Sequence, residues 1–153
     1  MAKNTVKVKN YLNVFEEMTL TAVVIYPGYL LEETSAGLAQ AHSGAGQPVF
    51  PMFALEDELQ GGAIATAFAA SAKVQVWTPT RGDIVYAFLA DGESAVIGDF
   101  LVSDGAGKLA VYAADSAGAV EYPSSIVGVA TEAVDMSGSA GEDPTGRILV
   151  KII

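Results

Sequence analysis

The chain has 153 residues, no cysteine and a formal net charge of −10. That length fits one ordinary domain, and a hydrophobic content of 51% excludes wholesale disorder. The lack of cysteine excludes disulfides and thiolate metal sites, and an acidic body repels phosphate, which argues against nucleic acid as a partner.

The charge is unevenly spread. Lys3, Lys7 and Lys9 are the only charges in the first ten residues, while the other 143 hold 5 basic and 18 acidic groups. The basic start reads either as an arm seeking an acidic partner or as a solvated terminus. Val6 and Val8 alternate with Lys7 and Lys9, so the segment is ready to become a strand if it meets a sheet edge. The N-terminus lacks the apolar core of a signal peptide, and no stretch reaches the roughly 18 apolar residues of a membrane span. The expectation is a protein made and used without export, with no membrane partner.

Strand candidates follow at 19–25 and 49–53, with turn clusters at Tyr26-Pro27-Gly28 and over 42–48. His42 is the sole histidine. A Ser-His-Asp site would need a nucleophile elbow, and no Gly-x-Ser-x-Gly occurs, so His42 is expected to be an exposed loop residue. Glu32-Glu33 and Glu56-Asp57-Glu58 offer oxygens to a hard cation, yet adjacent carboxylates do not converge on one point and no Asp-x-Asp-x-Asp-Gly loop is present. No metal site is expected. The best helical candidate is 54–60, about two turns ended by Gly61-Gly62.

From 73 onward the period of two dominates. Lys73-Val74-Gln75-Val76-Trp77 puts Val74 and Val76 on one face. Arg81-Gly82-Asp83 spells an adhesion tripeptide but sits in a turn cluster. Gly82-Asp83 then opens an apolar run that stops at Asp91-Gly92, and Gly98-Asp99 opens another that stops at Asp104-Gly105. Asp-Gly tolerates the positive φ of hairpin turns, so these phrases read as short strands joined tightly. Gly105-Ala106-Gly107-Lys108 has Leu109 where a phosphate loop needs Ser or Thr, and reads as a hairpin turn. Further strands are expected at 95–102, 109–113 and 126–133, with Ser124-Ser125 in a connector and a turn cluster over 137–146. In Arg147-Ile148-Leu149-Val150-Lys151-Ile152 the alternation points Ile148, Val150 and Ile152 inward and both cations outward.

Short strands spaced by about 8–15 residues, with Gly and Pro between them, indicate an all-β fold: a compact, tulip-like β-barrel or β-sandwich. Residues 1–15 are expected to form an extended N-terminal arm and 16–153 a single β domain. Trp77, Tyr86, Phe88, Tyr112 and Tyr122 are expected in core or subunit packing, with stacking on sugars as the alternative for such rings. No catalytic or cofactor-binding residues emerge.

Three stretches carry a resemblance. They are Gly98-Asp99-Phe100-Leu101-Val102-Ser103-Asp104-Gly105-Ala106-Gly107-Lys108-Leu109, Ile126-Val127-Gly128-Val129-Ala130-Thr131-Glu132-Ala133-Val134-Asp135, and Gly146-Arg147-Ile148-Leu149-Val150-Lys151-Ile152. With Phe53-Ala54-Leu55-Glu56 and the start Met1-Ala2-Lys3-Asn4, the chain resembles the decoration, or cement, proteins of tailed-phage heads. The likeness is strongest from about residue 82 to the end and rests on turns and strand endings.

The resemblance implies a small all-β protein, made in the bacterial cytoplasm, that trimerises on the outer face of an expanded capsid. There it would bridge major capsid subunits and touch neighbouring decoration subunits, with no cofactor. Lys3, Lys7 and Lys9 would meet an acidic capsid surface, and Tyr11, Leu12, Val14 and Phe15 would anchor the base of the arm. Two other expectations stand beside it: another virion part, such as a head-fibre base or tail component that binds a glycan or receptor through Trp77 or Tyr112, and a small β-fold hydrolase using His42.

Overall fold

The computed structural model describes residues 3–9, 15–113, 122–138 and 146–153. Among them the chain is all-β, with no α-helix. The strands are β1 (Lys7–Lys9), β2 (Phe15–Thr19), β3 (Leu31–Glu33), β4 (Ala39–Ala41), β5 (Phe53–Ala54), β6 (Lys73–Trp77), β7 (Ile84–Phe88), β8 (Ser94–Ala95), β9 (Phe100–Ser103), β10 (Leu109–Val111), β11 (Ile126–Ala130), β12 (Val134–Asp135) and β13 (Arg147–Ile152).

A six-stranded antiparallel sheet runs in the order β1-β7-β13-β11-β9-β10. A second layer combines the three-stranded sheet β2-β6-β5 with the hairpin β3-β4, stitched together by the bridges Leu20↔Ala39 and Leu30↔Phe53. The small pair β12-β8 completes the strands. A parallel bridge from Leu89 to Leu109 ties the segment after β7 to β10, and the Glu93 carboxylate accepts the Val111 N–H at 3.0 Å. These contacts occupy the outer side of β10, where an open edge would invite another chain.

Two apolar cores follow from the alternation, and single strands serve both. On β7, Val85 and Ala87 enter the core under the large sheet, while Phe88 enters the core of the second layer. On β6, Val74 and Val76 share the second core as expected, and Trp77 faces the first. Side chains at successive positions point to opposite faces, so a strand covered on both faces reads apolar at both parities.

Arg147 departs from its expected outward place: it is 5% exposed. Ile148, Val150 and Ile152 do point inward, and Lys151 does point out. Near the Arg147 end of β13, however, the other face is covered by the 26–29 turn and by Ile64. Gly28 has φ +94°, and a Cβ there would collide with Arg147 Nη1 and stand 3.0 Å from the Tyr86 carbonyl oxygen. Glycine therefore lets the turn close over the arginine.

Other expectations shift as well. The helix expected over 54–60 is replaced by an extended stretch and one 3-10 turn, Glu58–Gln60, capped by Asp57 Oδ1 on the Gln60 N–H and ended by Gly61 at φ 73°. Leu55 stays extended because its N–H bonds the Gln75 carbonyl at 2.9 Å. The strand expected over 19–25 lies earlier, at β2, because Glu16 to Thr19 find partners on β6 while Val23 and Val24 stand in solvent. The span 95–102 is split into β8 and β9 by the Gly98 turn. Part of the turn cluster over 137–146 lies outside the described residues.

Candidate functional site

The basic N-terminal residues come first. β1 lies antiparallel on β7, with Lys7 opposite Val85 and Lys9 opposite Ile84. Val6 is fully buried in the first core; its N–H donates to Glu56 Oε2 at 3.2 Å and its carbonyl accepts the Tyr86 N–H at 2.7 Å. The segment thus meets a sheet edge within its own chain. Lys7 Nζ stands 4.5 Å over the ring of Phe15, which is 44% exposed, so two residues chosen from the sequence form one cation–π pair. Lys3 is partly exposed. Tyr11, Leu12 and Val14 lie outside the described residues. Val6, the anchor of this segment, carried a signal in its alternation with Lys7, but not its depth.

The second feature is a corner between β8 and β9. Val96 is 58% exposed, Ile97 71% and Phe100 45%. The turn is fixed rather than loose: the Val96 N–H donates to Asp99 Oδ2 at 2.9 Å, the Asp99 N–H to the Val96 carbonyl at 3.1 Å, and the Gly98 N–H to the Ala130 carbonyl at 3.0 Å. Phe100 pairs with Val129 on β11, and its carbonyl accepts the Tyr112 N–H at 2.8 Å. Three large apolar side chains left in water on a hydrogen-bonded turn make this corner a candidate contact surface. The sequence signal was an apolar pair directly before a Gly-Asp turn, which strand assignment over 95–102 absorbed.

His42 is not an exposed loop residue but is 4% exposed. It follows β4 and is held by its N–H on the Leu30 carbonyl at 3.0 Å and by Nδ1 on Ser103 Oγ at 2.8 Å. Nε2 faces Glu32 Oε2 at 3.9 Å. Glu32 Oε1 accepts from Ser43 Oγ at 2.6 Å and from Gln40 Nε2 at 2.7 Å. Burial alone would raise the Glu32 carboxyl; hydrogen bonds from Ser43 and Gln40, with the nearby His42 ring, outweigh it and hold the group below its ordinary value. A serine, a histidine and a carboxylate are therefore adjacent. Ser103 is only 1% exposed, and its Oγ also accepts the Gly105 N–H at 3.1 Å. This geometry ties β4 to the β9–β10 hairpin and leaves the Oγ no open approach for a substrate.

The remaining motifs resolve structurally. Asp83 of the Arg-Gly-Asp tripeptide is fully buried, and its Oδ2 accepts from the Thr80 N–H at 2.7 Å and the Thr80 hydroxyl at 3.1 Å. Gly105 and Gly107 have φ of 86° and 83° in the β9–β10 hairpin, and Lys108 Nζ pairs with Asp91 Oδ2 at 3.1 Å. Among the described residues no group of three potential metal ligands gathers. Glu56 is turned to Val6, Asp57 to its cap, and Glu32 to Ser43 and Gln40. Trp77 is fully buried, which removes it as a sugar-stacking surface.

Arg147 completes the charged interior. Its guanidinium carbon lies 4.0 Å from the centroid of the Phe88 ring and 5.7 Å from that of Tyr86. Nη2 donates to the Ile64 carbonyl at 2.9 Å. Burial lowers its pKa to about 10, against the opposing fields of Tyr86, Glu56 and Tyr29, so it stays a cation at neutral pH.

No protein-family model matches this chain, and no curated protein matches it.

Proposed function

We propose that the protein is a capsid decoration protein of a tailed phage, which binds the outer surface of the expanded head as a trimer and bridges major capsid subunits. The observation that carries this reading is the apolar corner of Val96, Ile97 and Phe100 on a hydrogen-bonded turn. The likeness of the 98–109 and 126–135 stretches to such proteins gives the corner its context. A clamp acts by burying surface at a joint between larger subunits. It stabilises the assembled shell because it binds that form and not the separated parts. Many copies of a weak contact then act together. An acidic body, carrying 18 carboxylates against 8 basic groups, keeps such particles from adhering to nucleic acid and to one another.

The test is co-sedimentation of the purified chain with expanded, undecorated heads. The reading expects saturable binding at a fixed number of copies per head and a higher temperature of head disruption. A chain that binds no capsid form, and sediments alone as a monomer at high concentration, contradicts it.

A further inference from the structure

The corner of Val96, Ile97 and Phe100 leaves large apolar side chains in water, and a depression elsewhere on the chain has the complementary character. It is lined by Val23, Val24, Ala41, Ala90 and Ala106, with Val23 and Val24 half-exposed. We propose that Val96 and Ile97 of one copy seat in this depression on a second copy, head to tail. The inference rests on reading the corner as a contact surface, and it names the protein itself as the partner of that surface.

Size narrows the choice of seat. The depression has a volume of about 390 Å³. A cavity of roughly 150 Å³ already holds a benzene ring, so an isoleucine side chain fits. Two others, lined by Lys7 and by Lys73, have about 70 and 80 Å³ and are too small. Charge decides between the proposed seat and the depression beside His42. That one is lined by Glu16, Glu32 and Glu33, whose carboxylates an apolar tip would strip of water without replacing it. In the proposed seat the charged groups are already partnered. Lys108 Nζ is matched to Asp91 Oδ2 at 3.1 Å, and Asp104 Oδ1 accepts the Ala106 and Lys108 N–H groups at 2.7 and 2.9 Å. An aliphatic side chain can cover the alanines beside them.

Both halves of the joint are formed in advance. The tip is held by the Asp99 and Gly98 hydrogen bonds. The seat depends on Gly107, at φ +83°: a Cβ there would stand 2.9 Å from the Ala41 Cβ and from Tyr29 Cδ2, so glycine lets the β9–β10 hairpin close on both. The Leu30 N–H bonds the Gly107 carbonyl at 2.8 Å. Preformed surfaces lose little freedom on docking. Topology sets the direction. The tip precedes β9 and the Asp104–Lys108 turn follows it, so the two stand at opposite ends of one four-residue strand. They are roughly 13 Å apart at about 3.3 Å per residue. Because tip and seat are different patches, a head-to-tail joint leaves no tip uncovered only when it closes into a ring.

The chain has no cysteine, so thiols can be placed singly. Ile97→Cys is mixed with Val23→Cys or with Val24→Cys and oxidised in the absence of capsids; Ile97→Cys with Phe50→Cys is the control. A disulfide needs Cα atoms within about 7 Å. The seat pairs are expected to give a linked heterodimer, identified by peptide mass, and the control pair none. A chain carrying both Ile97→Cys and Val24→Cys is expected to close into a covalent ring without longer ladders. Sedimentation velocity gives a second reading: Val24→Asp, a surface substitution, should weaken self-association at least about tenfold while the fold is kept. No seat link in any pair, a control link as strong as the seat links, or self-association unmoved by Val24→Asp overturns the joint. A parent chain that saturates expanded heads yet gives no seat link overturns this joint alone and leaves the capsid reading standing.

Discussion

Arg147 and Ile97 are each on the wrong side of the usual rule. The arginine is 5% exposed and the isoleucine 71%. The difference lies in what the neighbouring layer does. Behind β13 the 26–29 turn and Ile64 close over the guanidinium; Ile64 gives it a carbonyl partner, and Phe88 and Tyr86 of β7 give it ring partners. Beyond β8, Val96 and Ile97 stand uncovered among the described residues. A satisfied cation indoors belongs to the fold, whereas an exposed apolar corner held by three backbone-donated hydrogen bonds is, on the proposed function, a surface for a partner.

Breaking the interior side should be costly. Arg147→Ala empties the space over Phe88 and leaves the Ile64 carbonyl without its donor. A loss of about 2–4 kcal/mol is expected in denaturant unfolding, the range for removing a buried hydrogen-bonded charge. Gly28→Ala attacks the same arrangement from the turn. A Cβ at φ +94° must displace the guanidinium, and a loss of about 1–3 kcal/mol is expected from strain and overpacking. A Gly28→Ala variant as stable as the parent would mean that the turn does not press on Arg147.

A smaller effect is expected at Glu32. Its folded carboxyl titrates below the unfolded one, so its stabilising contribution is present above the unfolded titration range. That contribution fades as pH falls through the folded value. Glu32→Gln should therefore flatten the acid side of the stability–pH curve without moving the neutral-to-alkaline side. An unchanged acid limb would show that the Ser43 and Gln40 bonds do not discriminate between the two protonation states.

The smallest effect on stability belongs to the corner. Ile97→Asp should change unfolding free energy by no more than about 0.5 kcal/mol, as at other exposed positions. A large loss would place Ile97 in the fold's own packing and remove the contrast with Arg147.

How much of this was legible follows the same line. Regular alternation located β6 and β13 to the residue, because one parity of each strand is anchored in an apolar core. The all-β class was legible from turn chemistry between short apolar runs. Arg147 was misplaced because alternation names the two faces of a strand without saying whether the second face is covered. Leu55 and Glu56 scanned as helix, but a pairing with Gln75 and a contact with Val6, far away in sequence, decided otherwise. His42 was misread for the same reason: its burial depends on Ser103, 61 positions away. Val96 and Ile97 fell within the strand expected over 95–102, because only tertiary structure shows that they stand exposed among the described residues.

The most direct measurement counts copies bound per expanded, undecorated head for the parent chain and for Ile97→Asp. The account predicts that the parent saturates at a fixed ratio and that the folded variant loses at least about tenfold in affinity, since a desolvated charge in the contact costs more than about 1.4 kcal/mol. Equal binding of the two, or no binding by either, contradicts it.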